Sequence, residues 1–262
     1  MKYVKSYLIS LEFLGFRFSG WQKQTNAKTL HDMVDKSLSF VIQTADYKTI
    51  GVGRTDAKVS ATGYVFQLFV TKALSEKEFL PALNANFPPD FRAKSFVEVA
   101  LTFTIINAPK VKEYHYYFSF GIENHPFAAP FMVNLATNLD IAQMQKGAKL
   151  FEGTHYFHKY CTKPSEKTIF KRTIECCEIV ENTLLTASFF PKQSYVLRVK
   201  GKGFLRYQIR LMMAALVELG KGNLSLSVIE NSLKEDNDRQ YLKTISPGSG
   251  LQLYKVDFEG LH

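Results

Sequence analysis

The chain has 262 residues, 46% of them hydrophobic, and carries a formal net charge of +9 at pH 7 with a pI near 9.3. That length holds one large core or two modest ones, two domains of similar size being the better fit, and the charge favours a polyanion such as nucleic acid or an anionic membrane as partner. No apolar run approaches the roughly 18 residues of a membrane-spanning helix, and the N-terminal run alternates and then meets an acid like a strand rather than a signal peptide, so a cytoplasmic protein is expected.

The three cysteines, Cys161, Cys176 and Cys177, have no C-x-x-C spacing, which argues against a disulfide framework and a structural zinc site. His155 and His158 alone are close enough to share a helical face, and a metal bound there would lack its remaining ligands.

Tyr7, Ile9, Leu11 and Phe13 alternate with Leu8, Ser10 and Glu12, the period-two signal of a strand. After a loop carrying the single tryptophan, Trp21, the pair Thr29 and Asp32 forms a capping-box-like start to a helix with Leu30, Val34 and Leu38 inward. Two strands follow around the turn V-G-R-T-D-A-K. Ser75 with Glu78 is read as a second capping box, its helix ending before N-F-P-P-D, and a strand is expected from Phe91 to Leu101. This β-α-β-β-α-β order is that of a ferredoxin-like unit and closes a first domain, residues 1–107.

Residues 108–262 repeat the pattern. Tyr114 to Phe120 is an aromatic strand, a helix starts at Asp140, and Ile174–Val180 with Leu184–Phe190 read as a hairpin. A strand through Tyr195, Leu197 and Val199 leads into a long helix with Leu205, Ile209, Met212 and Leu216 inward. Ser227 with Glu230 caps a short helix before a last strand, Leu251 to Phe258. The expected fold class is α+β: two ferredoxin-like, RRM-like halves sharing a mixed, mostly antiparallel sheet with a basic cleft.

The stretch I-G-V-G-R-T-D-A-K-V-S-A sets Asp56 beside Arg54 in a glycine-bounded turn feeding an apolar strand. Gly51 and Gly53 allow positive φ or close backbone approach. A bare G-R-T-D is ordinary turn chemistry. The longer string resembles the G-R-T-D-A-G-V-H-A signature of the tRNA pseudouridine synthase A (TruA) family, whose catalytic aspartate falls on Asp56. Other strings agree: L-E-F-L-G-F-R-F-S-G-W-Q-K-Q, L-N-A-N-F-P-P-D-F, E-Y-H-Y-Y-F and G-F-L-R-Y-Q-I-R-L-M-M. The resemblance implies that Tyr114 stacks on the reacting uracil and that Arg210 pairs with Asp56, while Tyr116 and Tyr117 are structural candidates.

Arg54, Lys58 and Arg206 are read with Tyr114 as substrate-binding. Arg206 and Arg210, four apart, are expected on one helix face, with Arg198, Lys200 and Lys202 before them as a track for phosphates. The family's substrate is tRNA, modified at positions 38 to 40 of the anticodon arm by a homodimer, and the reaction needs no cofactor, metal or redox step. The carboxylate attacks or stabilises the sugar, or acts on the base.

Three departures bear on this. Lys58 and Ser60 replace a glycine and a histidine, Ile106 stands at an arginine position, and Arg206 and Tyr207 stand where many members carry histidines. They leave room for a catalytically inactive RNA-binding relative, or for a synthase with another RNA target. A glycosidase is disfavoured because no second carboxylate is placed near Asp56.

Overall fold

The computed structural model describes residues 2–135, 137–236 and 244–260. The chain divides into two units, Met1–Lys110 together with Leu253–His262, and Val111–Gln252. Leu253–His262 thus group with the first unit, although they follow the second in sequence. No helix of the described residues is long and apolar enough to cross a membrane.

The first unit runs β1 (Lys5–Phe13), α1 (Leu30–Ile42), β2 (Tyr47–Gly51), β3 (Ser60–Val70), α2 (Glu76–Asn86) and β4 (Phe91–Val99), the order read from the sequence. β1 lies between β3 and β4, antiparallel to both, with Leu11 opposite Tyr64 and Ile9 opposite Phe96. β2 pairs antiparallel with the second half of β3, Gly51 opposite Phe66. The C-terminal strand adjoins β3 farther along, where Thr62 Oγ1 donates to the Tyr254 carbonyl at 3.0 Å.

Helix α1 starts as its sequence dictates. Thr29 Oγ1 accepts from the Asp32 amide at 3.3 Å and donates to the Asp32 carboxylate at 2.5 Å, and Leu30, Val34 and Leu38 are buried. Helix α2 differs, because Ser75 makes no side-chain cap bond and its carbonyl alone receives the first turn. What fixes α2 is Asn84, whose amide donates to the Ala93 carbonyl at 2.9 Å and accepts from the Ala93 amide at 2.8 Å. That gives the N-A-N-F-P-P-D string its architectural role.

The second unit contains β5 (Lys110–Phe120), β6 (Val133–Leu135), α3 (Ile141–Lys149), β7 (Gly153–Tyr156), β8 (Lys171–Glu181), β9 (Tyr195–Gly201), α4 (Gln208–Gly220) and α5 (Leu226–Ser232), and the last strand, β10, is Leu251–Phe258. Its strands lie in the order β5-β9-β8-β7, all antiparallel, with β6 added parallel to β5. The whole is α+β with mostly antiparallel pairing, as expected. Burial pushes all three thiols above their ordinary range, Cys177 most of all.

Several local expectations are corrected here. Leu184–Phe190 is not a strand. The Asn182 amide donates to the Leu185 carbonyl at 2.8 Å and to Ser194 Oγ at 3.0 Å, closing a loop, and β8 pairs with β9 instead. Leu185, Phe189 and Phe190 pack on Tyr117, Ala128, Met132 and Val196, so their apolar spacing reflects loop packing. Helix α5 has Ser225 and not Ser227 at its N-cap position, without a side-chain cap bond, and α4 begins only after Leu205.

Because Asn84 satisfies both backbone groups of Ala93, Asn84→Ala orphans a donor and an acceptor. We expect a loss of about 1–3 kcal/mol in urea denaturation, against less than about 1 kcal/mol for Asn86→Ala, whose amide only bonds back within its own helix.

Candidate active site

Asp56 sits in the turn between β2 and β3, and this turn is held from below by aromatic packing. Tyr64, buried on β3, donates its hydroxyl to the Gly53 carbonyl at 2.6 Å. Trp21 stacks on Tyr64 at 4.1 Å and on His31 at 5.0 Å. A Cβ at Gly51 would lie 2.1 Å from the Tyr64 hydroxyl and 2.6 Å from Trp21 Nε1, so only glycine admits this packing. The close approach read for Gly51 is therefore observed, and Trp21 is buried outright.

The loop after β1 lies along the other side of the turn. Trp21 donates its amide to the Thr55 carbonyl at 3.1 Å, and the Lys58 amide donates to Phe18 at 3.0 Å. Gly20, at φ +92, passes so near that a Cβ would meet the Thr55 carbonyl at 2.5 Å. Gly15 approaches Val59 closer still, and its amide donates to Ser60 Oγ at 2.9 Å. Arg17 anchors the same loop to Asp90 of the N-F-P-P-D string. The loop thus lies against the turn on one side and is tied to the N-F-P-P-D string by Arg17. Sequence reasoning missed Tyr64, Gly15 and Gly20 as its supports, since only the facing Gly51 hinted at a bulky neighbour.

Around this frame Asp56 is half-buried while Arg54 and Lys58 are exposed. Lys58 occupies the left-handed region at φ 66, where the resembling signature has glycine, and its ammonium lies 5.4 Å from the Phe16 ring. Ser60, in place of a histidine, serves the loop through its bond to Gly15. Ile106 is exposed, in a segment tied down by Lys110, whose ammonium donates to the carbonyls of Ile105, Ile106 and Ala108 at 2.8, 2.8 and 2.9 Å. Burial lowers the Lys110 pKa.

In the second unit, half-buried Tyr114 stands on β5 opposite Val199, its ring edge-on to Phe204 at 5.2 Å. Tyr116 is buried and donates to the Pro247 carbonyl at 2.9 Å, and burial raises its pKa well beyond the usual phenol range. Tyr117 is buried with its hydroxyl 3.1 Å from His115 Nδ1. Both are structural, as expected. Arg210 is half-buried on α4 and donates Nε to the Ser246 carbonyl at 2.7 Å.

The basic cluster is corrected in one respect. Arg206 precedes α4 and does not share a helix face with Arg210; the two meet instead at the Tyr207 ring. Arg198 is engaged by acids of both neighbouring strands, with Glu178 at 3.0 Å and Glu113 at 3.3 Å, and Lys200 lies 4.0 Å from Glu175. Burial would raise the Glu113 carboxyl, but its bonds to His115 and Arg198 outweigh this and hold it below the ordinary range. Arg198 and Lys200 thus each face glutamates of the neighbouring strands.

The tRNA pseudouridine synthase family profile matches residues 148–259. Over nearly the whole chain the sequence is similar to a tRNA pseudouridine synthase A from Exiguobacterium sibiricum, with 30% identity over 97% of this chain and 96% of that protein. One from Thermosipho africanus is 32% identical over 97% and 100%, and one from Aquifex aeolicus 30% over 96% and 98%. The class is that of isomerases that convert uridine to pseudouridine. The chain belongs to the tRNA pseudouridine synthase A family.

The left-handed backbone at residue 58 gives a direct test. Lys58→Gly is expected to be more stable than Lys58→Ala by about 1–2 kcal/mol, since only the former escapes the Cβ clash. Equal melting temperatures for the two variants would contradict that strain.

Proposed function

We propose that this protein isomerises uridine to pseudouridine in the anticodon arm of tRNA, at positions 38 to 40, with Asp56 as the catalytic carboxylate. The observation that carries the reading is the Asp56 turn, fixed by Tyr64 beneath and by the Trp21 loop alongside, within a chain that matches tRNA pseudouridine synthases A over nearly its full length. We assign the carboxylate-bearing turn to the N-terminal domain and the Tyr114 strand and Arg210 helix to the C-terminal one. The enzyme acts as a cytoplasmic homodimer, as the family resemblance implies.

The chemistry breaks the N1-glycosidic bond, turns the uracil and joins C5 to the same ribose carbon. The C5 hydrogen leaves as a proton and N1 regains one, so no oxidant or reductant is consumed. Asp56 acts ionised, as nucleophile or as electrostatic stabiliser, and the paired arginine that the family resemblance assigns to Arg210 would favour that charged form. Bringing the uridine out of its stack costs a few kcal/mol, and stacking on Tyr114 returns about 1–3 kcal/mol of it. Arg54, Lys58 and Arg206, all exposed, hold phosphates near the flipped uridine. Recognition then rests on RNA shape and backbone more than on base edges.

Tritium release from [5-³H]uridine-labelled tRNA tests the assignment. Wild type releases tritium, and Asp56→Asn, nearly isosteric but uncharged, releases none while still binding tRNA. A wild type that binds tRNA without release on any RNA would make the protein an RNA-binding relative without isomerase activity.

A further inference from the structure

The residue ahead of α4 stands out for its backbone. Tyr207 is the N-cap of that helix at φ 62 and ψ 7, in the left-handed region, and makes no side-chain cap bond. N-cap residues ordinarily take extended backbone, and a left-handed conformation is costly for a bulky side chain. Gln43, also left-handed, ends a helix, where that conformation is commonplace. Tyr207 has no such excuse.

Nor is its ring needed to close the turn. The Leu205 amide donates to Gln208 Oε1 at 2.8 Å and the Gln208 amide returns to the Leu205 carbonyl at 3.1 Å, so backbone and Gln208 shape the entry to α4. The ring is only half-buried. What the left-handed backbone achieves is to turn the ring onto two guanidiniums, with Arg210 Cζ 4.7 Å and Arg206 Cζ 5.3 Å from its centre. Arg210 is held from a second direction by the Ser246 carbonyl, and the Ser246 amide returns a bond to the Arg210 carbonyl at 3.3 Å. A long side chain with many rotamers is thereby confined to one setting. Strained backbone gathers where function over-determines a geometry.

We infer that Tyr207 is a positioning residue for the synthase reaction, fixing the Arg210 guanidinium by a cation–π contact in the one setting that the reaction uses. This rests on the assignment of Asp56 and Arg210 above. Tyr207 itself touches no reacting atom, and its hydroxyl is dispensable to the role.

The test compares Tyr207→Gly, Tyr207→Asn and Tyr207→Phe by tritium release and thermal unfolding. Glycine and asparagine tolerate the left-handed backbone, so both keep or raise the melting temperature. Both should lower kcat by about tenfold, the scale of one cation–π contact in a partly desolvated site, with KM within about threefold of wild type. Tyr207→Phe restores kcat, since the ring remains. The inference is overturned if glycine and asparagine leave kcat within about twofold of wild type. It is overturned equally if phenylalanine fails to restore kcat, or if the loss appears in KM or in stability instead. A wild type without tritium release overturns the synthase assignment, and this inference with it.

Discussion

The approach of Tyr64 and Trp21 to the backbone at Gly51 and Gly53 is the constraint on which the candidate active site depends. A carboxylate in an exposed turn samples many positions, and catalysis needs one. Here the turn is fixed by a phenol bond to its carbonyl, worth about 1 kcal/mol net, and by an aromatic stack worth about 0.5–1.5 kcal/mol beyond its burial. Backbone bonds from Trp21 and Lys58 close the other side. These contacts are made by the backbone of the turn and by neighbouring aromatic rings. Support of this kind, from a rigid scaffold rather than from the side chain it presents, is what preorganisation requires.

Charge is distributed by the same logic in the second unit. Within the net charge of +9, the arginine and lysine of β9 face glutamates on β5 and β8. Arg54, Lys58 and Arg206 remain exposed on turns next to the residues assigned to chemistry. Arg210 is treated differently again, tied to Ser246 and Tyr207. Ion pairs inside a sheet hold strands in register, whereas exposed cations on turns can meet phosphate with little desolvation cost.

Much of this was legible in the sequence where the cause is local. The alternation from Tyr7 to Phe13, the caps at Thr29 and Asp140, and the βαββαβ order all follow from short-range pattern. Asp56 was legible as a candidate through its glycine-bounded string. Non-local causes were hidden: nothing in L-G-F-R-F-S-G-W announces that Gly15 and Gly20 lie against a turn some 40 residues on. Leu184–Phe190 misled because a loop packing on Tyr117 and Val196 needs apolar residues as much as a strand does. Arg206 misled because the helix starts two residues later, after a left-handed tyrosine that no propensity scale favours. The short strands β6 and β7, of three and four residues, carry too little pattern to be read.

The claim that the frame under Asp56 sets catalytic geometry is tested most directly by Tyr64→Phe, which deletes the hydroxyl bonded to Gly53 and keeps the ring that stacks on Trp21. The account predicts that kcat for tritium release falls by about tenfold while tRNA affinity is retained and Trp21 fluorescence still reports a packed indole. A variant that is destabilised yet turns over at the wild-type rate would contradict it, leaving Tyr64 as a core residue with no part in placing the carboxylate.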